Sequence, residues 1–206
     1  MKYNAKSLFC RTFLLRLGNK PTSWAYNLQG YPIDPVPYMR DLGITIDSKL
    51  SFNEHIDDIT SKSSRRIFHL IKALPRLTPN LYVRLYNAYV LPILEYGSVI
   101  FNPIQKGQIE RLEKPQRLFT KILSQRRVIP DSDYTGRLKV LKMHSLEYRR
   151  TMLDLIHVYK ILFGFINIES SQFFSFPTRV NNRLSHGLRL SHPTKTPHNS
   201  RFFKKF

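Results

Sequence analysis

The chain has 206 residues, 42% of them hydrophobic, and its 33 lysines and arginines against 14 aspartates and glutamates give a net charge of +19. That length and apolar content suit one or two small folded domains and exclude wholesale disorder. The charge favours a polyanionic partner, either nucleic acid or an anionic membrane face, although generic basicity of the ribosomal-protein kind gives the same balance.

Cys10 is the sole cysteine, which rules out a disulfide framework or a cysteine-based zinc finger and fits an intracellular protein, cytoplasmic or nuclear rather than secreted. Phe13-Leu14-Leu15, followed at once by Arg16, is too short for a signal peptide. No membrane partner is expected. The apolar stretch from Leu85 to Phe101 is broken by Pro92 and Glu95, short of the roughly 20 residues a span requires.

Residues 8–47 read as β. Phe13, Leu15 and Leu17 alternate imperfectly, Trp24, Tyr26 and Leu28 alternate cleanly, and Gln29-Gly30 supplies a turn before Tyr31. Prolines 32, 35 and 37 confine the next segment to an edge or outside a sheet. Ile44 and Ile46 then point one way and Thr45 and Asp47 the other, with Gly43 marking a bulge or a close backbone approach.

After Ser51 the period changes. Ser51 and Glu54 have capping-box spacing, and Ile56, Ile59, Ser63, Ile67, Leu70, Ile71 and Leu74 fall on one helical face. Lys62, Arg65, Arg66, His69 and Lys72 lie mostly off it, and Pro75 stops the helix. Thr78-Pro79 opens a second helix through Leu81, Leu85, Ala88 and Tyr89, kinked near Pro92 and ending before Asn102-Pro103. Ile109, Leu112, Gln116, Phe119 and Leu123 suggest a third, which Pro115 should kink or break at a cost of about 3 kcal/mol.

The segment from Val128 to Arg137 reads as a loop. A fourth helix, Leu146 to Phe163, is expected to bury Tyr148, Met152, Leu155, Ile156, Tyr159, Leu162 and Phe163. Beyond Glu169 seven basic residues, three histidines and three prolines occur without an acid, and this tail is expected to be extended or disordered.

Several segments carry a resemblance in order: N-A-K-S-L-F (Asn4 to Phe9), W-A-Y-N-L-Q-G-Y-P-I (Trp24 to Ile33) and R-D-L-G-I-T-I-D-S-K-L-S-F (Arg40 to Phe52). They continue through L-P-I-L-E-Y-G-S-V-I-F-N-P (Leu91 to Pro103), I-E-R-L-E-K-P-Q-R (Ile109 to Arg117) and S-L-E-Y-R-R-T-M-L-D-L-I-H-V-Y-K-I-L-F-G (Ser145 to Gly164), then T-R-V-N-N-R-L-S-H-G-L-R-L (Thr178 to Leu190) and R-F-F-K-K-F (Arg201 to Phe206). Together they resemble the part of jockey-like non-LTR retrotransposon reverse transcriptases that follows the catalytic palm.

The resemblance implies an α+β fold: a small antiparallel β remnant of the palm end (1–50), a helical thumb-like region (51–127), a C-terminal helical region (128–168) and a basic tail (169–206). It also implies a template-primer partner, an RNA–DNA hybrid or primer-template duplex, and the missing palm as a second partner. Leu42 and Gly43 would lie near the primer end. Lys62, Arg65, Arg66, Lys72 and Arg76, with Arg117 and Lys121 on the third helix, would contact phosphates, which position a duplex without reading its bases. A solvated helix face remains the alternative for these charges.

Parent polymerases use magnesium held by palm aspartates to align the primer hydroxyl with the incoming triphosphate. Their aromatic-Ala-Asp-Asp turn is not present in this sequence. Asp57-Asp58 lies in the first turns of a helix, where acids suit the helix dipole. No catalytic, metal-ligating or cofactor-binding residue is therefore assigned. His186, His192 and His198 read as solvated rather than as ligands. The expectation is a truncated polymerase fragment that binds template-primer without catalysis. Its alternatives are a stand-alone RNA- or DNA-binding module and a poorly folded relic.

Overall fold

The computed structural model describes residues 12–18, 24–28 and 30–169. The segment Asn4 to Phe9, the basic tail from residue 170 onward and the three histidines at 186, 192 and 198 lie outside the described residues. The fold is α+β, with short strands followed by helices. Backbone contacts group the chain into two compact units, one of Met1–Leu77 with Arg84–Gly97 and one of Thr78–Val83 with Ser98–Phe206.

The first unit opens with three two-stranded ladders. β1 (Leu14–Leu15) pairs in parallel with β4 (Pro35–Val36), where only antiparallel pairing was expected. The hairpin of β2 (Tyr26–Leu28) and β3 (Tyr31–Ile33) lies between them in sequence and forms part of the crossover that a parallel pair requires. The third ladder is the antiparallel hairpin of β5 (Tyr38–Asp41) and β6 (Ile44–Asp47), with Asp41 opposite Ile44. Its two-residue loop has Leu42 at φ 45° and Gly43 at φ 87°. Both signs are those of a type I′ turn, whose twist matches the flanking strands. Gly43 is thus a turn residue with a close approach beside it rather than a bulge: an added Cβ would sit 3.6 Å from the Tyr96 ring.

The helix α1 (Asn53–Ala73) starts differently from its capping-box spacing. Phe52 is the N-cap residue, at φ 56°, and no side chain caps the helix from that position. The Ser51 hydroxyl instead donates to Asp47 at 3.0 Å, and Asp47 also accepts the amides of Lys49, Ser51 and Phe52 at 2.9, 3.1 and 2.7 Å. A carboxylate from the preceding strand has replaced the local box. Ile56, Ile59, Ser63, Ile67 and Ile71 are buried as their spacing predicts, while Leu70 is half-buried and Leu74 exposed. Each buried isoleucine contributes about 1.5–3 kcal/mol. His55 is buried with them, and its Nδ1 accepts the Thr45 amide at 3.4 Å, tying α1 to β6.

The expected second helix is three. α2 (Pro79–Tyr89) ends before Pro92, which then sits in the first turn of α3 (Leu91–Glu95), where its missing amide costs nothing. Gly97, at φ 68°, separates α3 from α4 (Ser98–Phe101). The buried positions are Tyr82, Tyr86 and Val90, one residue on from the predicted Leu81, Leu85 and Tyr89. In the first unit α1 packs on α3 and β6.

In the second unit α5 (Lys106–Gln125) packs on α6 (Tyr134–Leu141) and α7 (Leu146–Leu162), and α4 packs on α7. Pro115 does not break α5, which runs through it with the ring buried. The residues around it supply the reason. Gln116 donates to the His144 carbonyl at 2.8 Å and to the Tyr134 hydroxyl at 3.2 Å. Buried Glu113 accepts the Leu146 amide and the Tyr134 hydroxyl. Tertiary bonds on both sides of the proline offset its lost backbone bond. The loop expected to Arg137 ends sooner, because Asp133 caps α6 by accepting the Gly136 amide at 2.9 Å.

The face of α7 is the largest departure. Leu146, Arg150, Asp154 and Ile161 are buried, while Tyr148, Met152, Leu155, Ile156, Tyr159 and Phe163 are exposed and Leu162 is half-buried. The packed face is marked by contacts with α4 and the residue after it. Asn102 donates to Asp154, the Arg150 guanidinium lies 4.7 Å from the Phe101 ring centroid, and Ser145 caps the helix by accepting the Tyr148 amide.

Candidate nucleic-acid interface

The buried stripe of α1 fixes what its other side presents. Arg65 and Arg66 flank Ile67 and are both exposed, as are His69, Lys72 and Arg76. Steps of three and four residues keep Lys62, Arg65, Arg66, His69 and Lys72 together along the helix, a strip on the order of 15 Å long. The strip is not uniform. Lys62 is half-buried and paired with Asp58 at 2.5 Å, one turn before it. Arg66 donates to the Tyr89 carbonyl at 3.4 Å, a long bond that leaves the residue exposed. Arg65 and Lys72 are exposed along the same strip.

Leu42 and Gly43 are exposed at the tip of the β5–β6 hairpin, and Leu42 is 84% accessible. The Tyr96 hydroxyl donates to the Leu42 carbonyl at 2.8 Å, fixing the tip to the end of α3. Arg117 and Lys121 are exposed one turn apart on α5, in the second unit, with Lys114 one turn earlier. The Arg117 guanidinium rests 4.5 Å from the Tyr134 ring centroid, a cation–π contact that orients it along the helix. The sequence-predicted residues therefore fall into two sets on different units: Leu42, Gly43, Lys62, Arg65, Arg66, Lys72 and Arg76 on the first, Arg117 and Lys121 on the second.

Two ionisable groups that spacing did not mark are shifted by their surroundings. Partial desolvation raises the Asp47 carboxyl, but the Ser51 and Phe52 amides, the Ser51 hydroxyl and the Lys49 amide outweigh it and hold the pKa below the ordinary carboxylate value. Burial pushes the Tyr134 phenol up, and its hydrogen bond to Glu113 and the nearby Glu113 charge push it further. Of the acids of the helical doublet, Asp58 pairs with Lys62, and Asp57 is exposed. Among the described residues no three His, Cys, Asp or Glu side chains come together as a metal site. Among the same residues no helix is long and apolar enough to cross a membrane. A cavity of about 10 Å³ bounded by Asn102, Ile109, Glu113, Leu146 and Arg150 has room for one water and none for a nucleotide.

No protein-family profile matches the chain, and no solved structure matches it. The chain is similar to a Caenorhabditis elegans protein named "Uncharacterized protein B0403.1", with 31% identity over 126 residues. That alignment covers 61% of this chain and 64% of the relative, so the chain spans less than two thirds of the protein it matches.

Tyr96 and Glu113 were not singled out by sequence reasoning, which placed Gln116 on the third helix's face without its polar partners. Tyr96 meets Leu42 from 54 residues away and Glu113 meets Leu146 from 33 away, separations that carry no periodic signal. Asp47 was legible in principle, as an acid just ahead of a helix start, but the nearer Ser51 and Glu54 offered a familiar pattern.

Proposed function

We propose that the chain is the thumb-bearing part of a non-LTR retrotransposon reverse transcriptase that binds an RNA–DNA hybrid or primer-template duplex and performs no nucleotide chemistry itself. The observation that carries this reading is the outward side of α1. Arg65, Arg66 and Lys72 stand exposed opposite a buried isoleucine stripe, in a chain of net charge +19. A rigid cationic rod of this kind suits the backbone of a duplex, since phosphate contacts need charge at regular spacing and no base readout. Arg117 and Lys121 supply a second, smaller cationic face. The colinear sequence resemblance supplies the polymerase context, in which magnesium and its carboxylate ligands belong to the palm of such polymerases.

The experiment is a binding titration of the purified chain against a labelled RNA–DNA hybrid at several salt concentrations. The expected result is an affinity that falls steeply and log-linearly with salt. Absence of binding at low salt overturns the proposal, and nucleotide incorporation by the purified chain overturns the non-catalytic part.

A second reading is a stand-alone nucleic-acid-binding module that needs no palm. It is supported by the isoleucine core of the first unit, which packs with buried His55 against β6. Addition of the palm-containing portion of such a polymerase separates the two readings: the first expects complex formation and the second expects none.

A further inference from the structure

Four exposed side chains of the first unit lie at the two ends of α3, and the duplex-binding strip of α1 uses only one of them. At the start, Arg66 donates to the carbonyl of Tyr89, whose ring is exposed. At the end, Tyr96 holds the Leu42 carbonyl through its hydroxyl and presents an exposed ring beside Gly43. Tyr89 and Tyr96 are seven residues apart on a largely helical path, a spacing that returns side chains to one side. The two ends are then on the order of 10 Å apart, close to three stacked bases.

Leu42 is the unusual member. A type I′ turn favours Asn or Asp at its first central position, and a leucine in the left-handed region carries a steric cost. Leu42 nevertheless occupies that position at φ 45° with 84% of its surface exposed. Charge divides the strip. Arg65 and Arg66 attract phosphate at one end, whereas exposed Asp41 beside Leu42 and half-buried Glu95 beside Tyr96 repel it at the other. An anionic strand laid here would put phosphate against Arg66 and its base faces against Tyr89, Tyr96 and Leu42, because every base has a π-face that stacks on an aromatic ring whatever the sequence.

We infer that Arg66, Tyr89, Tyr96 and Leu42 form a stacking strip for one unpaired nucleic-acid strand, with Tyr96 as the positioning residue that sets Leu42 outward. The inference rests on the nucleic-acid reading above and adds to it a preference for bases over bare backbone. Neither Tyr89 nor Tyr96 is needed for phosphate contact.

The test compares binding of the full chain to a thymidine oligonucleotide and to an abasic oligomer of equal length and charge. Wild type is expected to prefer the base-bearing strand about tenfold, within the range that stacking supplies. Leu42→Asn places a residue that the turn favours, so the fold is kept while the apolar contact is lost. Tyr89→Ala removes one ring, and Tyr96→Phe keeps its ring but releases the Leu42 carbonyl. Each should reduce the base preference several-fold while leaving the salt slope unchanged, a split that a merely structural role would not produce. A wild-type ratio of one overturns the inference, as does a ratio that survives both Leu42→Asn and Tyr89→Ala. Retained salt-dependent hybrid binding in either case leaves the duplex reading standing, whereas no binding to any of these probes removes both.

Discussion

Both carboxylate oxygens of Glu113 lie within hydrogen-bonding distance of the Leu146 amide, at 3.2 and 3.1 Å, so that a side chain in the middle of α5 receives the first turn of α7. The same carboxylate accepts the Tyr134 hydroxyl from α6. One buried acid therefore joins three helices, and Gln116, three residues on, repeats the arrangement through His144 and Tyr134.

Glu113→Ala should consequently be among the most damaging polar substitutions in the second unit. It leaves the buried Leu146 amide and the part-buried Tyr134 hydroxyl without their acceptor, and hydrogen bonds to a charged group contribute about 1.5–3 kcal/mol each. A loss of about 2–4 kcal/mol by urea unfolding is expected, with Glu113→Gln milder because one acceptor oxygen remains. A Glu113→Ala variant as stable as wild type would show that this carboxylate does not tie the helices together.

The entry to α1 depends on pH through Asp47. Its folded pKa is depressed, so its contribution to stability is fully present above the unfolded carboxylate value and is lost as pH falls through the folded one. Asp47→Asn should flatten the acid side of the stability profile below about pH 4, where carboxylates ordinarily protonate. At neutral pH Asp47→Ala should cost about 1–3 kcal/mol, since the amides of Lys49, Ser51 and Phe52 lose a charged acceptor. Glu54→Ala should cost little, since the capping box is not formed. Thermal melts of the three variants across pH 3–7 distinguish these outcomes; equal losses for Asp47 and Glu54 would restore the local box.

α7 gives a sharp contrast between two faces of one helix. Leu155→Glu and Ile156→Lys should change stability by no more than about 0.5 kcal/mol, as exposed substitutions do. Leu146→Ala, on the buried face, should cost about 2–5 kcal/mol. The ordering by chemical denaturation checks which side of the helix packs, and large losses at positions 155 and 156 would return the core to the face that hydrophobicity suggests.

These contrasts also mark where the sequence was readable. The isoleucines of α1 recur at helical spacing and are buried at those positions, because an amphipathic stripe needs only a partner surface of any kind. α7 carries two competing stripes, and the more hydrophobic one lost. Arg150 and Asp154 are buried through Phe101 and Asn102, and Glu113 sets the helix start, all contacts decided far away in sequence. Pro115 was misread for the same reason: propensity is a local quantity, and the bonds of Glu113 and Gln116 that hold α5 together are not. For the candidate site, periodicity placed Arg65 and Arg66 off the buried stripe and only the family resemblance pointed them at phosphate, whereas Tyr96 could be found only once the hairpin tip met α3.

The cationic strip makes a quantitative prediction about binding. Arg65→Glu with Arg66→Glu should weaken hybrid binding uniformly across sequences and lower the salt slope by roughly 0.9 for each phosphate contact removed, or about two in all. Arg117→Glu with Lys121→Glu should have a smaller effect, because the Arg117 guanidinium already rests on Tyr134 and the face carries fewer accessible charges. Lys62→Ala should be smaller still, since Asp58 competes for that ammonium one helical turn away. Filter-binding or anisotropy titrations between 50 and 200 mM salt, roughly the range over which counterion release is most visible, give all three slopes. If the α1 double variant kept the wild-type slope, its arginines would be a solvated helix face and the duplex would have to be held elsewhere.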